Sequence, residues 1–93
     1  MIHVLIERHI AEGMLSTYEA LSRSGLQQTY SVAGFISGET FANTSDEHHR
    51  FVLGKWKTQK DWVRWYQSAE RMEIMNKINP ALTGPEKILI LEN

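Results

Sequence analysis

His3, Glu7 and His9 stand at alternate positions of the apolar run that opens the chain. On an extended strand, alternation of period two sets all three on one face. Histidine changes charge near neutral pH, so Glu7 or His9 can take a proton from the oxygen or ring carbon of a bound quinol. Arg8, beside them, can hold the anion that results. As metal ligands the three are loosely spaced and lack a fourth partner, so no metal site is expected. The plainer alternative is a polar strand end satisfied by its neighbours.

Aromatic residues supply the second set of candidates. Trp56, Trp62 and Trp65 are the only tryptophans, and all fall between Leu53 and Arg71. An indole is costly to expose and its N–H needs a partner when buried. Three of them at one strand-to-helix junction build either a thick corner of the core or the wall of a pocket. Trp65 can stack on a planar substrate and donate to its oxygen, or it can fill the helix–sheet contact along the face Trp62, Trp65, Tyr66, Ala69, Met72. Phe35, Phe51, Trp62 and Tyr66 are further candidate walls. Met72 adds soft, adaptable surface for a flat apolar molecule. His48 and His49 point apart on an extended chain and read as solvated loop residues. Arg71 pairs with Glu70 on the surface, or anchors a second subunit or an acidic substrate group.

Bulk properties exclude several classes of function. Ninety-three residues make one domain, 1–93. A net charge of −1 offers no basic footprint for nucleic acid. With no cysteine, disulfides, thiolate catalysis and Cys-ligated metals drop out. No phosphate loop, Ser-His-Asp set or flavin or nicotinamide fingerprint is present. Neither a basic leader nor a membrane-spanning apolar run is seen, so a cytoplasmic location without membrane contact is expected.

The elements that must position these residues follow from periodicity. Ile2–His9 alternates as a strand, and Met14 to about Ser31 repeats at helical spacing. Strands are expected at Phe35–Phe41 and Arg50–Trp56, joined by a longish polar loop around Asn43–Glu47. Thr58 and Asp61 form a box-like helix start. That second helix runs from about Gln59 to Asn79, with a break near Ser68, and Pro80 and Gly84-Pro85 stop it. Lys87–Glu92 is the last strand.

The order β-α-β-β-α-β specifies an α+β, ferredoxin-like fold: an antiparallel four-stranded sheet with two helices on one face. Two helices cover only one side. Yet Ile88-Leu89-Ile90-Leu91 is apolar on both faces, and Leu5, Phe51 and Leu53 face away from Ile6, Val4 and Val52. A sheet with one wet face alternates cleanly. The expected cover is a second copy, in a two-fold dimer through the sheet face.

Gly34-Phe35-Ile36-Ser37-Gly38-Glu39 resembles the strand opening of the antibiotic biosynthesis monooxygenase (ABM) domain. Trp56-Lys57-Thr58, then Asp61-Trp62, Trp65 and Ser68-Ala69-Glu70-Arg71, resembles its tryptophan-rich second helix. Ala33 stands where many relatives carry proline. The resemblance spans the chain in element order and is specific mainly from Gly34 to Arg71. It implies the dimeric α/β-barrel fold and one pocket per subunit between sheet and helices. Some members oxidise polycyclic phenols with O₂ and no cofactor; others degrade haem. Haem-degrading relatives carry an asparagine on the first strand, a tryptophan on the second helix and a histidine beyond it. Here Trp65 matches, but Glu7-Arg8 and Glu73-Ile74-Met75-Asn76 supply neither asparagine nor histidine. The expected function is therefore a cofactor-independent monooxygenase acting on a hydroxylated aromatic or quinol. Glu7 or His9 would be its base, and Trp65 would be a catalytic-site residue. The alternative is a non-catalytic dimer, ligand-binding or stress-related, that holds a small aromatic molecule.

Overall fold

Alternation along the first strand decides which side of the sheet is which. β1 (Ile2–His9) buries Ile2, Val4, Ile6 and Arg8 and leaves the residues between them partly or fully exposed. In the computed structural model, which describes residues 1–93, the chain continues through α1 (Leu15–Thr29), β2 (Phe35–Asn43), β3 (Asp46–Trp56), α2 (Gln59–Tyr66), α3 (Ala69–Ile78) and β4 (Lys87–Leu91). A 3₁₀ turn at Asn79–Ala81 follows α3. The strands form one antiparallel sheet in the order β2-β3-β1-β4. This is the ferredoxin-like arrangement expected.

The second helix is in fact two. Thr58 caps α2 by accepting from the Asp61 N–H at 3.2 Å. Ser68 ends it and starts α3: its hydroxyl donates to the Trp65 carbonyl at 2.6 Å and accepts from the Arg71 N–H at 3.1 Å. Such local side-chain bonds compete with helix continuation and favour caps.

The β2–β3 connection is tighter than the sequence suggests. Asn43 pairs with Asp46, so only Thr44 and Ser45 turn the chain. Asn43 Oδ1 accepts from the Ser45 N–H at 2.9 Å, and Asp46 Oδ1 from the His48 N–H at 3.0 Å, which closes the turn locally. His48 and His49 are consequently strand residues, not loop residues.

Helices and sheet enclose two apolar clusters. Ile2, Val4, Ile6 and Trp56 meet Trp62 and Trp65 at one end; Ile10, Tyr18, Met75, Ile78 and Ala81 meet at the other. Burying each large apolar side chain stabilises the fold by about 1.5–3 kcal/mol. Gly34 sets the entry to β2 with φ +89°, and a Cβ there would stand 2.2 Å from Asp61 Cγ. No other residue suits that position.

The opposite face carries no helix. Register places Leu5 between Leu53 and Leu89, Leu91 beside His3, and Phe51 between Glu7 and Phe41. Phe41, Leu89 and Leu91 are 47%, 46% and 43% exposed. No helix is long and apolar enough to cross a membrane.

Candidate active site

A cavity of about 70 Å³ lies between the sheet and the helices. Gly54 leaves a patch of bare backbone in its floor between the side chains of Val4, Ile6 and Val52. Gly38, its partner on β2, is covered by Leu26. A Cβ on Gly54 would lie 3.2 Å from Trp56 Nε1 and 3.6 Å from the Phe35 ring. The missing side chain therefore keeps space open beneath the indoles. Phe35, Trp56, Trp62 and Trp65 wall the cavity, and Trp56 meets both Phe35 and Trp62 edge-on, at 5.0 and 5.8 Å between ring centres.

One end of the cavity is charged. Arg8 and Arg71 both line it. Arg8 Nε donates to Glu86 Oε1 at 3.0 Å, Nη1 to the Tyr18 hydroxyl at 3.2 Å, and Nη2 reaches Met75 Sδ at 3.5 Å. Arg71 Nη2 donates to Glu86 Oε2 at 2.7 Å. Its guanidinium lies 5.4 Å from the Trp62 ring centre and 5.2 Å from that of Tyr66, two cation–π contacts on one side of the cation. The three charged side chains are 7%, 8% and 11% exposed. Two guanidiniums thus share one carboxylate, and both carboxylate oxygens are engaged.

Glu7, His9 and His49 meet on the other side of the sheet. Glu7 Oε2 lies 2.6 Å from His49 Nε2 and 3.9 Å from His9 Nε2. Because Asn43 Oδ1 already accepts from Ser45, the Asn43 amide turns its NH₂ to His49 Nδ1 at 3.0 Å. His49 Nδ1 accepts in that arrangement, so Nε2–H donates to Glu7. This bond is the main cause holding the Glu7 carboxyl below the ordinary glutamate range. The His9 and His49 rings stack at 4.5 Å with their planes 8° apart. Lone pairs in parallel planes do not converge on one point, so the pair does not chelate an ion as arranged, although the three donor atoms lie within 4.8 Å of one another.

A family model described as antibiotic biosynthesis monooxygenase matches residues 1–77. The chain belongs to the antibiotic biosynthesis monooxygenase family. Solved structures agree in fold. A candidate antibiotic biosynthesis monooxygenase from Nitrosomonas europaea superposes with a TM-score of 0.89 at 14% identity, covering 100% of this chain and 98% of that one. One from Bordetella bronchiseptica gives 0.91 at 14%, covering 99% and 95%. A conserved protein from Methanosarcina mazei gives 0.90 at 17%, covering 99% and 91%. No curated protein matches the chain. Family membership supports monooxygenation as the class of activity. Glu86 lies beyond the matched span, so this end of the cavity is described by the structure alone.

In this ABM-family chain the cavity gathers only part of the expected site. Trp65, Trp62, Phe35 and Arg8 are in its wall. Glu7, His9 and Phe51 are not: they occupy the strand parity that faces away from the helices. The base expected beside Trp65 is therefore separated from it by the sheet. Tyr66 and Met72 are 51% and 61% exposed and lie outside the cavity, with Tyr66 supporting Arg71 from beyond. Arg71, expected either as half of a surface pair with Glu70 or as an anchor for a second subunit or an acidic substrate group, is 6% exposed and bonded to Glu86, which removes the surface pair. Glu86 carried no signal in the sequence beyond its place after Gly84-Pro85. Nor did Arg71, which is off the Trp65 face of a continuous helix and turns inward only because Ser68 starts a new one.

Proposed function

We propose that this chain is a monooxygenase that oxidises a hydroxylated aromatic ring with O₂ and without a bound cofactor, in the cavity beneath the helices. The observation that carries this reading is an indole-walled cavity closed at one end by two buried guanidiniums, in a member of a monooxygenase family. A phenol bound there ionises with its oxygen toward Arg71 or Arg8, whose charge favours the phenolate in a poorly solvated site. The electron-rich ring gives an electron to O₂, and oxygen joins the ring carbon para to the phenolate. Loss of water from the resulting hydroperoxide leaves a carbonyl. One O₂ and one phenol yield one quinone and one water, and the substrate supplies all the electrons.

The proton has no protein base to meet in the cavity. Its lining contains no Asp, Glu or His, and Glu86 is held on both oxygens. It leaves to solvent, and the protein acts through charge stabilisation more than through general base catalysis. An oxygen electrode and a panel of single-ring phenols with a free para carbon test this. Uptake should match substrate one to one, and ¹⁸O₂ should place one label in each product molecule. No uptake with any member of the panel would sink the proposal. The absent base also favours a second reading, a dimer that holds an aromatic ligand without turnover. Native mass spectrometry of freshly expressed protein tests that by the mass of a carried ligand.

We propose further that a second copy covers the open sheet face. The support is its contiguous apolar stripe, Leu5, Phe51, Leu53, Leu89 and Leu91, which no helix covers. Light scattering should report two chains for the wild type and one for Leu53→Glu. A wild-type monomer at micromolar concentration would remove the dimer.

A further inference from the structure

We infer that the cavity selects a single aromatic ring that carries or can form an anion, a benzoate-like carboxylate or a monocyclic phenol that ionises there, over rings that cannot ionise and over polycyclic molecules. This rests on the reading that the cavity is the substrate site.

Charge is the first argument. Arg8 and Arg71 bring two positive charges and Glu86 one negative, all with side chains no more than 11% exposed. The cluster is left with one unmatched positive charge at the cavity wall. Burial of a charge without a partner is costly, so a ligand that brings an anion relieves it.

The second argument is the polarity of the free hydrogen-bonding groups. Arg71 carries five N–H groups, and its only hydrogen bond to a protein side chain or carbonyl runs from Nη2 to Glu86. Trp56, 2% exposed, aims its indole nitrogen over the Gly54 floor and meets no protein acceptor there. No buried polar side-chain atom is sealed off without a partner. These donors therefore keep access to open space, and no carboxylate in the cavity lining competes for them. Apart from the hydroxyls of Ser22 and Thr29, the wall presents donors, and it lacks anionic acceptors, which favours carboxylate or phenolate oxygen over an amide NH₂.

Size supplies the limit of one ring. An engineered cavity of about 150 Å³ admits benzene. This cavity, at about 70 Å³, is smaller. One ring already requires the lining to yield, and two fused rings require more than the packed helices give.

The test is binding, read by tryptophan fluorescence because all three indoles line the cavity, and by calorimetry as a check. Benzoate should bind, and benzamide, its neutral isostere, should bind at least tenfold more weakly. 1-Naphthoate should bind more weakly than benzoate. Arg71→Gln should weaken benzoate at least tenfold, with Arg71→Lys recovering part of the loss. Glu86→Gln, measured below its own melting temperature, should bind benzoate more tightly than wild type, because it removes the competing negative charge. A merely structural Glu86 predicts the opposite sign. Equal affinity for benzoate and benzamide, tighter 1-naphthoate, or weaker benzoate binding by folded Glu86→Gln overturns the inference. The outcomes separate from those of the proposed reaction. Oxidation of non-ionising or fused-ring substrates without benzoate binding removes the anion rule and leaves the monooxygenase; benzoate binding without O₂ uptake does the reverse.

Discussion

Glu86→Gln should cost this protein a large part of its stability. The substitution keeps shape and removes charge. Glu86 accepts from Arg8 on one oxygen and from Arg71 on the other. A glutamine has one acceptor oxygen, so its NH₂ must face the second guanidinium, donor against donor. Exposure is too low for water to repair the mismatch: 7% for the Arg8 side chain, 8% for Arg71 and 11% for Glu86. Removing one partner of a buried ion pair costs about 3–5 kcal/mol. For a chain of this size each kcal/mol lowers the midpoint by about 4–8 °C, so a fall of about 12–40 °C is expected. Urea unfolding followed by circular dichroism measures the loss directly. The informative control is the triple variant Arg8→Met, Glu86→Leu, Arg71→Met, which removes the charges together and should lie near or above wild type. A Glu86→Gln loss below about 1 kcal/mol would refute the claim that these charges are buried and mutually dependent.

Three further outcomes follow from the same geometry. Gly54→Ala should place a methyl 3.2 Å from Trp56 Nε1 on the cavity floor, changing stability by about 1–3 kcal/mol while weakening benzoate at least tenfold; unchanged affinity in a fluorescence titration would show that this floor is not where the ligand lies. Trp65→Ala, at a residue 6% exposed, should cost about 3–5 kcal/mol in urea unfolding, with Trp65→Phe milder. Glu7→Gln should destabilise the protein in a pH-dependent way. The folded-state carboxyl of Glu7 is depressed, first by its hydrogen bond from His49, so its contribution is present above the unfolded value of about 4.3 and is lost as pH falls through the folded value. The difference in melting temperature between wild type and Glu7→Gln should be open at pH 6 and close at pH 3; a constant difference would remove the His49 bond as its source.

The topology was legible because each element announces itself locally. β1 shows strict alternation, Gly34 needs positive φ, Thr58 and Ser68 each cap a helix, and Pro80 helps end the second. The order of such elements narrows the fold to very few arrangements. The hairpin was misjudged for a local reason as well. Asn43–Glu47 looks like loop because it is polar, yet Asn43 pairs with Asp46 and only Thr44 and Ser45 turn the chain.

The site was less legible because its charged end joins residues 8, 71 and 86, which no spacing rule connects. Only folding brings β1, α3 and the approach to β4 together. Buried arginine also resembles surface arginine in sequence, and prior odds place both on the surface. The face of Glu7 and His9 is a different matter, since the deciding information was in the strand itself. Ile2, Val4 and Ile6 share one parity, and that parity faces the helices. Arg8 shares it; Glu7 and His9 do not. Residue types with catalytic potential drew attention to the wrong face, whereas counting by twos from the apolar residues selects Arg8.

The position of Glu7 and His9 across the sheet limits the chemistry open to the cavity. A base on the cavity side would have let it remove a proton from a neutral phenol. With the histidines and Glu7 across the sheet, what remains beside the indoles is positive charge and hydrogen-bond donors. Such a wall raises the population of a ligand's anion without accepting its proton, so substrates that ionise readily gain most. Rate against pH should therefore follow the ionisation of each phenol, displaced to lower pH by the guanidiniums, and should shift with the substrate's own acidity across a substituted series. A profile that stayed at one pH for every substrate would instead report a titrating group of the protein, and would point to Glu7, His9 and the far side of the sheet.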